Sequence, residues 1–415
     1  MTTLRYSTAG ESHGKALVGI LEGIPSQLSL SETDIDKDLR RRQGGYGRGG
    51  RMKIESDHAE ILSGVRWGKT IGSPVTLLIE NRDYKNWTDG MSPNAETAGS
   101  IPAVVKPRPG HADLAGAIKY DHHDIRNVLE RSSARETAVR VALGAVAKRF
   151  LCEFNIVIGS YIVQIGPVRS KELASGVRGT EGKELLRIFE RAEKSPVRCA
   201  DEEGSRKMIK LIDKAVTEGN SLGGIFEVFA VGVPVGLGSH VQWHRRIEGR
   251  LSQALMSIQA IKGVEIGLGF EMSRRFGSET MDEIFYAAPR SPLSERRRHG
   301  GNGRESGLSG FHRKTNNAGG IEGGITNGMP IILRAGMKPI PTLRKPLRSV
   351  DILTKKHVEA AYERSDVCAV PAAGVIGEAM VALTIADAFL EKFGGDSMGE
   401  VRRNYESYIQ CVRNF

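Results

Sequence analysis

Gly10-Glu11-Ser12-His13-Gly14, followed by Lys15-Ala-Leu-Val-Gly-Ile-Leu-Glu-Gly-Ile-Pro25, is the stretch on which the fold turns. Its first five residues fit G-x-S-x-G, the nucleophile elbow of serine hydrolases, in which a strand, a sharp turn and a helix expose a serine hydroxyl. That reading needs a helix after Gly14. Residues 15–25 instead form an apolar run punctuated by Gly19 and Gly23 and stopped by Pro25, the pattern of a strand leading into a turn. A strand there moves the chemical interest from Ser12 to His13.

Composition sets broad bounds. The chain has 415 residues, 40% of them hydrophobic, and no apolar run approaches the ~20 residues of a membrane span, so a soluble globular protein with an ample core is expected. Met1-Thr-Thr-Leu-Arg-Tyr lacks the basic and apolar regions of a signal peptide. Cys152, Cys199, Cys368 and Cys411 lie far apart without a C-x-x-C, which predicts neither zinc site nor disulfide framework and fits the cytoplasm. The formal net charge of +10 calls for an anionic partner, either nucleic acid or a multiply charged small molecule. An aromatic content of only 6% disfavours base-stacking platforms.

The pattern along the chain is mixed. Ser31-Glu-Thr-Asp34 reads as a capping box opening a helix that stops at Gly44. Further amphipathic helices are predicted near 133–150, 182–194, 205–218, 247–262, 354–363 and 372–393, with strand-like runs at 74–79, 156–158, 225–231 and 330–333. Residues 290–314, rich in Gly and Ser with seven basic side chains against two acidic, read as a basic loop insertion in a single domain spanning 1–415. Gly68-Lys-Thr70-Ile-Gly72-Ser-Pro74-Val-Thr-Leu77 and Gly324-Ile-Thr326-Asn-Gly328-Met-Pro330-Ile-Ile-Leu333 share one turn-and-strand pattern, and each is followed by Glu-Arg-Ser, at 130–132 and 363–365. The echo predicts an internal duplication with Arg131 and Arg364 in related positions.

Three further stretches carry chemistry. Gly45-Tyr-Gly47-Arg-Gly-Gly50 matches G-x-G-x-x-G, but it follows a capped helix instead of a strand, which excludes a dinucleotide fingerprint. Its likeness to an RGG box is equally out of place, because such boxes repeat in low-complexity tails. The arginines between Arg40 and Arg51 suit a basic loop that brings guanidinium forks to phosphate or carboxylate. Lys106-Pro-Arg108-Pro-Gly110-His111-Ala-Asp113 is a proline-stiffened turn that holds Arg108 and His111 near one place. Asp121-His122-His123-Asp124 tempts a metal reading, yet adjacent histidines on a strand face opposite ways and no further ligand follows at standard spacing, so no metal is predicted.

Together these stretches resemble the chorismate synthase family over nearly the whole chain. The resemblance rests on Gly10-Glu-Ser-His-Gly14, Arg41-Arg-Gln-Gly-Gly-Tyr-Gly-Arg48, Arg108-Pro-Gly-His111, Arg131-Ser-Ser-Ala-Arg-Glu-Thr137, Asn317-Ala-Gly-Gly-Ile-Glu-Gly-Gly324, Lys338-Pro-Ile-Pro-Thr342 and Arg364-Ser-Asp366, in that order. It implies an α+β fold, a β-α-β sandwich usually assembled as a homotetramer. The implied activity is the 1,4-elimination of phosphate from 5-enolpyruvylshikimate 3-phosphate to give chorismate, with reduced FMN and no net redox change. The resemblance implies that Arg42, Arg48, Arg51, Arg108, Arg135 and Arg364 clamp the phosphate and carboxylates of the substrate, which also accounts for the basic excess. By the same likeness His13 protonates the departing phosphate, His111 stabilises negative charge on the reduced flavin, and Asp366 manages the proton on flavin N5. FMN would be held by Arg131, Ser132, Ser133, Gln259, Ala260, Gly323, Lys338, Pro339, Ile340, Pro341, Thr342 and Arg364. Arg42 and Arg48 are also the NADP positions of members that reduce their own flavin; other members draw on a separate flavin reductase. Two departures stand out: Gln259 where many relatives have Asn, and a long 290–314 segment. Neither nucleic acid nor membrane is expected as a partner, and the competing classes are a basic nucleic-acid-binding protein and a serine hydrolase.

Overall fold

The Gly10–Gly14 stretch is a loop between two antiparallel strands, β1 (Arg5–Ala9) and β2 (Ala16–Glu22), paired from Arg5↔Glu22 to Ala9↔Val18. The computed structural model describes residues 3–49, 56–171, 182–287, 310–362 and 366–415. Leu17, Gly19 and Leu21 of β2 face inward, the period-2 alternation of a half-buried strand. Ser31 caps α1 (Glu32–Gln43) in a capping box with Asp34. After α1 come β3 (Glu60–Ser63), the short hairpin of β4 (Val65–Arg66) and β5 (Lys69–Thr70), and β6 (Val75–Glu80), which completes an antiparallel sheet of order β1-β2-β6-β3. The short helices α2 (Asp113–Tyr120) and α3 (Arg126–Ser132) precede the core helix α4 (Thr137–Cys152).

The second half repeats this plan. Strands β7 (Val157–Ile165) and β8 (Val168–Arg169), helices α5 (Gly182–Glu193) and α6 (Glu202–Thr217), and β9 (Gly224–Val231) lead to α7 (Ile247–Met256) and β10 (Ile261–Ile266). A one-turn helix α8 (Gly277–Thr280) and a hairpin of β11 (Ile284–Ala287) with β12 (Gly310–Arg313) intervene before the hairpin β13 (Ile321–Glu322) and β14 (Ile325–Thr326) and the strand β15 (Ile331–Met337). The second sheet has the order β10-β15-β9-β7-β8. β1, β2, β6 and β3 therefore correspond to β7, β9, β15 and β10.

The repeated glycine–proline turn carries the same bonds in both halves. Thr70 Oγ1 donates to Pro25 O at 2.6 Å and accepts from Leu28 N at 2.9 Å. Thr326 Oγ1 donates to Pro234 O at 2.7 Å and accepts from Leu237 N at 2.9 Å. A second echo accompanies them: Gly23-Ile-Pro25-Ser-Gln-Leu28 matches Gly232-Val-Pro234-Val-Gly-Leu237. The chain is one pseudo-duplicated α+β sandwich. The Glu-Arg-Ser at 363–365, Arg364 included, lies outside the described residues, as does Arg51.

Between the sheets lie α4, packed on β2 and β6, and α9 (Val370–Phe393), packed on β7, β9 and α4. The sequence predicts an amphipathic helix over 372–393, but α9 is buried on nearly all sides, with apolar residues all round it and Glu378 and Asp387 buried among them. It is long and apolar enough to cross a membrane, yet 94% of its apolar window is buried inside the fold. α10 (Met398–Asn414) closes the chain.

Other expectations are corrected by local chemistry. The helix predicted over 247–262 ends at Met256, since Ala260 takes φ +68° and β10 starts at Ile261. In place of a helix over 354–363 there is a hairpin, β16 (Arg348–Val350) with β17 (His357–Glu359). Its turn is held by Asp351 Oδ1, which accepts from Leu353 and Thr354 N and so competes with helical bonding. Asp121–Asp124 is the end of a helix, not a strand: Asp121 is left-handed at φ +54° after α2, and Asp124 Oδ1 accepts from Val104 N and Arg126 N. Of the 290–314 segment, the described part begins with β12 at Gly310.

Candidate active site

His13 stands on the β1–β2 loop against α3. Glu130, 3% exposed, accepts from His13 N through Oε2 at 2.7 Å and from the ring Nδ1 through Oε1 at 2.8 Å. The Glu130 carbonyl accepts from Ser12 N at 3.0 Å. Burial pushes the Glu130 carboxyl up, but the ring and backbone bonds of His13 and the Arg126 charge together bring it below its ordinary value. The imidazole lies 4.2 Å from the Trp87 ring, over which the Arg126 guanidinium sits at 5.0 Å. Ser12 is buried and its Oγ accepts from Ser133 Oγ at 3.1 Å. No helix follows it, so the elbow geometry of a hydrolase is absent here.

Asn81 joins this corner to a second one. Its amide donates to Glu11 O and Gly14 O at 3.1 and 2.8 Å, and its Oδ1 accepts from Arg135 Nε at 2.8 Å. Arg135 also bonds Asp57, and Asp57 Oδ2 lies 3.4 Å from Arg42 Nη1. Arg42 is almost fully buried, with Nε on Thr137 Oγ1 at 3.0 Å and Nη2 on Ala134 O at 2.9 Å. Burial pushes its guanidinium down to about 10, Asp57 opposing, and Arg48 and Arg135 add to the fall; it stays charged at neutral pH. Arg48 Nη1 donates to Asp366 Oδ2 at 2.6 Å and Gly49 N to Oδ1 at 2.7 Å, while Val367 N donates to Gly47 O. The arginine loop is thus tied to the segment leading into α9.

The third corner is the proline-stiffened turn. Arg108 and His111 do meet, as the sequence predicts, with Arg108 Nη2 3.1 Å from His111 Nδ1. What holds them is Asp113, 1% exposed at the start of α2, which accepts from Arg108 N and Nε at 2.9 Å and contacts His111 Nδ1. Burial raises the Asp113 carboxyl, but His111 and Arg108 outweigh it and hold the group well below the usual carboxylate range. Arg108 Nη1 donates to Thr342 Oγ1 at 2.9 Å and Lys338 Nζ to Gly110 O, so the 338–342 stretch lies against this turn. Ile340 O accepts from Ser221 Oγ at 2.6 Å; Pro339 and Pro341 stiffen the same stretch.

Between these corners Arg131 Nη1 donates to Gly10 O at 3.0 Å and Nη2 to Thr8 O at 2.8 Å. Ser132 Oγ donates to Val128 O, and Ser133 Oγ accepts from Arg135 N. Gln259 Nε2 donates to Glu136 Oε2 at 3.3 Å, whereas its Oε1 is buried without a hydrogen-bond partner among the described residues. Ala260 O accepts from Lys338 N, joining Gln259 to the 338–342 stretch. Gly323, at the β13–β14 turn, has open space where a Cβ would stand, and none of these contacts reaches it. Among the described residues no group of His, Cys, Asp or Glu is arranged to hold a metal ion.

Two imidazoles are each backed by a buried carboxylate and each lie close to a guanidinium group. Such groups can grip phosphate and carboxylates and move protons. Sequence reasoning missed the backing groups Glu130, Asp113, Asp57 and Asn81. Asp113 had a local signal, two residues after His111; Glu130 is 117 residues from His13 and had none.

The chain as a whole is similar to known proteins. A family model described as chorismate synthase matches residues 4–390. The chain is 58% identical over 412 residues to a chorismate synthase from Geobacter sulfurreducens, covering 99% of this chain and all of that one. It is 56% identical over 412 residues to one from Aquifex aeolicus, covering 99% of each. A crystal structure of chorismate synthase, 48% identical, superposes with a TM-score of 0.78 over 99% of both chains.

Proposed function

The chain belongs to the chorismate synthase family, and on that premise we propose that the three corners around His13, Arg108 and Arg48 are its reaction site. The activity is that of a carbon–oxygen lyase: 1,4-elimination of phosphate from 5-enolpyruvylshikimate 3-phosphate, giving chorismate at the last common step of the shikimate pathway to aromatic amino acids. The observation that carries the site is the pair of imidazole–carboxylate couples, His13–Glu130 and His111–Asp113, set among arginines. The substrate needs charge-assisted bonds to three anionic groups and a proton for its leaving phosphate, which these residues supply. His13 delivers a proton to the phosphate oxygen as the C–O bond breaks. Arg48, with Arg51 and Arg364, grips the anions. Arg42, Arg108 and Arg135 have hydrogen bonds committed to protein atoms and act there through their charge.

We further propose reduced FMN as cofactor. The residues fit it: the buried Gln259 Oε1, without a partner among the described residues, suits a ring N–H, and Arg131 and Lys338 carry further N–H donors for a phosphate, the hydroxyls of Ser132 and Ser133 donating instead to Val128 O and Ser12 Oγ. Ala260, Gly323 and the 338–342 stretch would line the ring, Arg364 joining them. The chemistry the cofactor supplies when bound is an electron-rich ring and a basic nitrogen, with no net redox change. Toward it, His111 with Arg108 and Asp113 stabilises negative charge at one ring edge, and Asp366 takes a proton at the N5 edge. NADPH bound at Arg48, Arg42 being buried, or a separate flavin reductase would keep the flavin reduced. The working enzyme is a cytoplasmic homotetramer; exposed Phe270, Phe276, Met281, Ile284, Tyr286 and Phe311 supply apolar surface for subunit contact.

The test is anaerobic phosphate release from the substrate. Pre-reduced FMN should support many turnovers per flavin, and oxidised FMN should bind yet support none. Equal rates with oxidised flavin, or with no flavin, would overturn the cofactor assignment.

A further inference from the structure

Residue 130 holds the His13 loop by three bonds: its carbonyl accepts from Ser12 N, and its carboxylate accepts from both the backbone and the ring of His13. A carboxylate only accepts hydrogen bonds. The ring nitrogen facing it, Nδ1, therefore carries a proton whether the imidazole is neutral or cationic. A proton that comes and goes must then do so at Nε2.

The carboxylate of Glu130 is 2.8 Å from the ring and 3% exposed, so solvent screens it little. The face of Trp87 at 4.2 Å adds a favourable ring quadrupole. The opposing charge is Arg126 of α3, whose Nη1 is 3.6 Å from Glu130 Oε1. Among the described residues, Asp83 accepts from Trp87 Nε1, and Glu11 stands on the same loop as His13 beside Gly14.

We propose that Glu130 is a positioning residue for proton delivery: it fixes His13 as the Nδ1–H tautomer and stabilises the imidazolium, so that the transferable proton sits on Nε2. In the elimination the Nε2–H bond breaks and its proton passes to the phosphate oxygen that takes the C–O electron pair. The ring is left neutral, with Nδ1–H still on Glu130. The inference rests on the reading of His13 as proton donor to the leaving phosphate.

The experiment is a pH titration of the full-length protein with isotopically labelled histidine, followed by NMR, with His13 assigned from the His13→Ala spectrum. Wild type should show a neutral ring protonated at Nδ1. Glu130→Gln, which keeps an oxygen for Nδ1 but removes the charge, should lower the His13 midpoint by about one unit or more. A neutral ring protonated at Nε2 in wild type, or an unmoved midpoint in Glu130→Gln, overturns the proposal. If that variant does not fold, Glu130→Asp withdraws the carboxylate by one methylene and should lower the midpoint less; an unmoved midpoint there overturns it too. Turnover of His13→Ala separates this from the underlying reading. Wild-type turnover in His13→Ala would remove His13 as proton donor, and with it the delivery role, while a shifted midpoint would leave the ion pair standing.

Discussion

Asp366 precedes α9 without capping it. The helix begins at Val370 with Ala369 as N-cap, and both Asp366 oxygens are occupied by Arg48 and Gly49 N. A capping role would make Asn an equal substitute; a proton-handling role would not. Asp366→Asn keeps the shape and an acceptor for one of the two donors, so FMN and substrate should still bind. Single-turnover decay of substrate with pre-reduced FMN should fall by roughly 10²- to 10⁴-fold, the usual size of a general acid–base contribution. A chemical step near the parent rate would reduce Asp366 to an anchor of the arginine loop. The residues at this scale that are legible in the sequence, such as Arg108 with His111, lie three positions apart on a stiffened turn. Those that are not, such as Glu130, reach their partner only through folding.

At the scale of elements, the crossing of α4 and α9 decides how the two halves meet. A Cβ on Gly144 would lie 2.3 Å from Ala379 Cβ and 2.5 Å from its Cα, so the helices approach backbone to backbone. Helix propensity alone says Gly144→Ala should stabilise by about 1 kcal/mol. Overpacking against a backbone that cannot rotate away costs about 1–3 kcal/mol, and packing should win. Thermal and urea unfolding should show Gly144→Ala less stable than wild type; a gain in stability would mean that the helices separate without cost. The sequence pattern marks both helices but not this contact, because a glycine within an apolar run reads the same whether it faces a neighbour or a gap.

Across the whole molecule, Glu378 ties the layers together from the middle of α9. It accepts from Arg41 Nη1 and Nη2 at 2.7 Å, from Lys148 at 2.8 Å, from Ser160 Oγ at 2.7 Å and from Arg198 at 3.1 Å. Asp38 shares Arg41 and Lys148. The network pins the last turn of α1, from which Arg42 and Arg48 run to the site. Burial alone would raise the Glu378 carboxyl, but Arg41, Lys148 and Arg198 hold it well below the ordinary carboxylate range. Its stabilisation is therefore full above the unfolded value near ~4.5 and is lost as pH falls through the depressed folded value. Glu378→Gln strands buried cations and should cost about 3–5 kcal/mol at pH 7. In urea titrations the gap to wild type should narrow only below the ordinary carboxylate range. A gap that is small at pH 7 would show the network to be dispensable for stability.

Sequence alone suffices for the strand after Gly14, the capped α1, the repeated turn about Thr70 and Thr326, and the order of motifs that marks the family. Each is local chemistry: alternation, capping and glycine–proline turns act over a few residues. The 348–359 hairpin escapes such a reading because Asp351 bonds its own turn, a local competition that residue periodicity does not register. It takes the folded chain to bring Glu130 to His13, to join Asp366 to Arg48 across 318 positions, and to bury Arg42 on Thr137 and Asp57. Such contacts have no spacing to read. Whether an arginine grips a ligand or a buried carboxylate, and which side of a histidine carries its proton, depends on the charge and exclusion of water that distant segments bring to it.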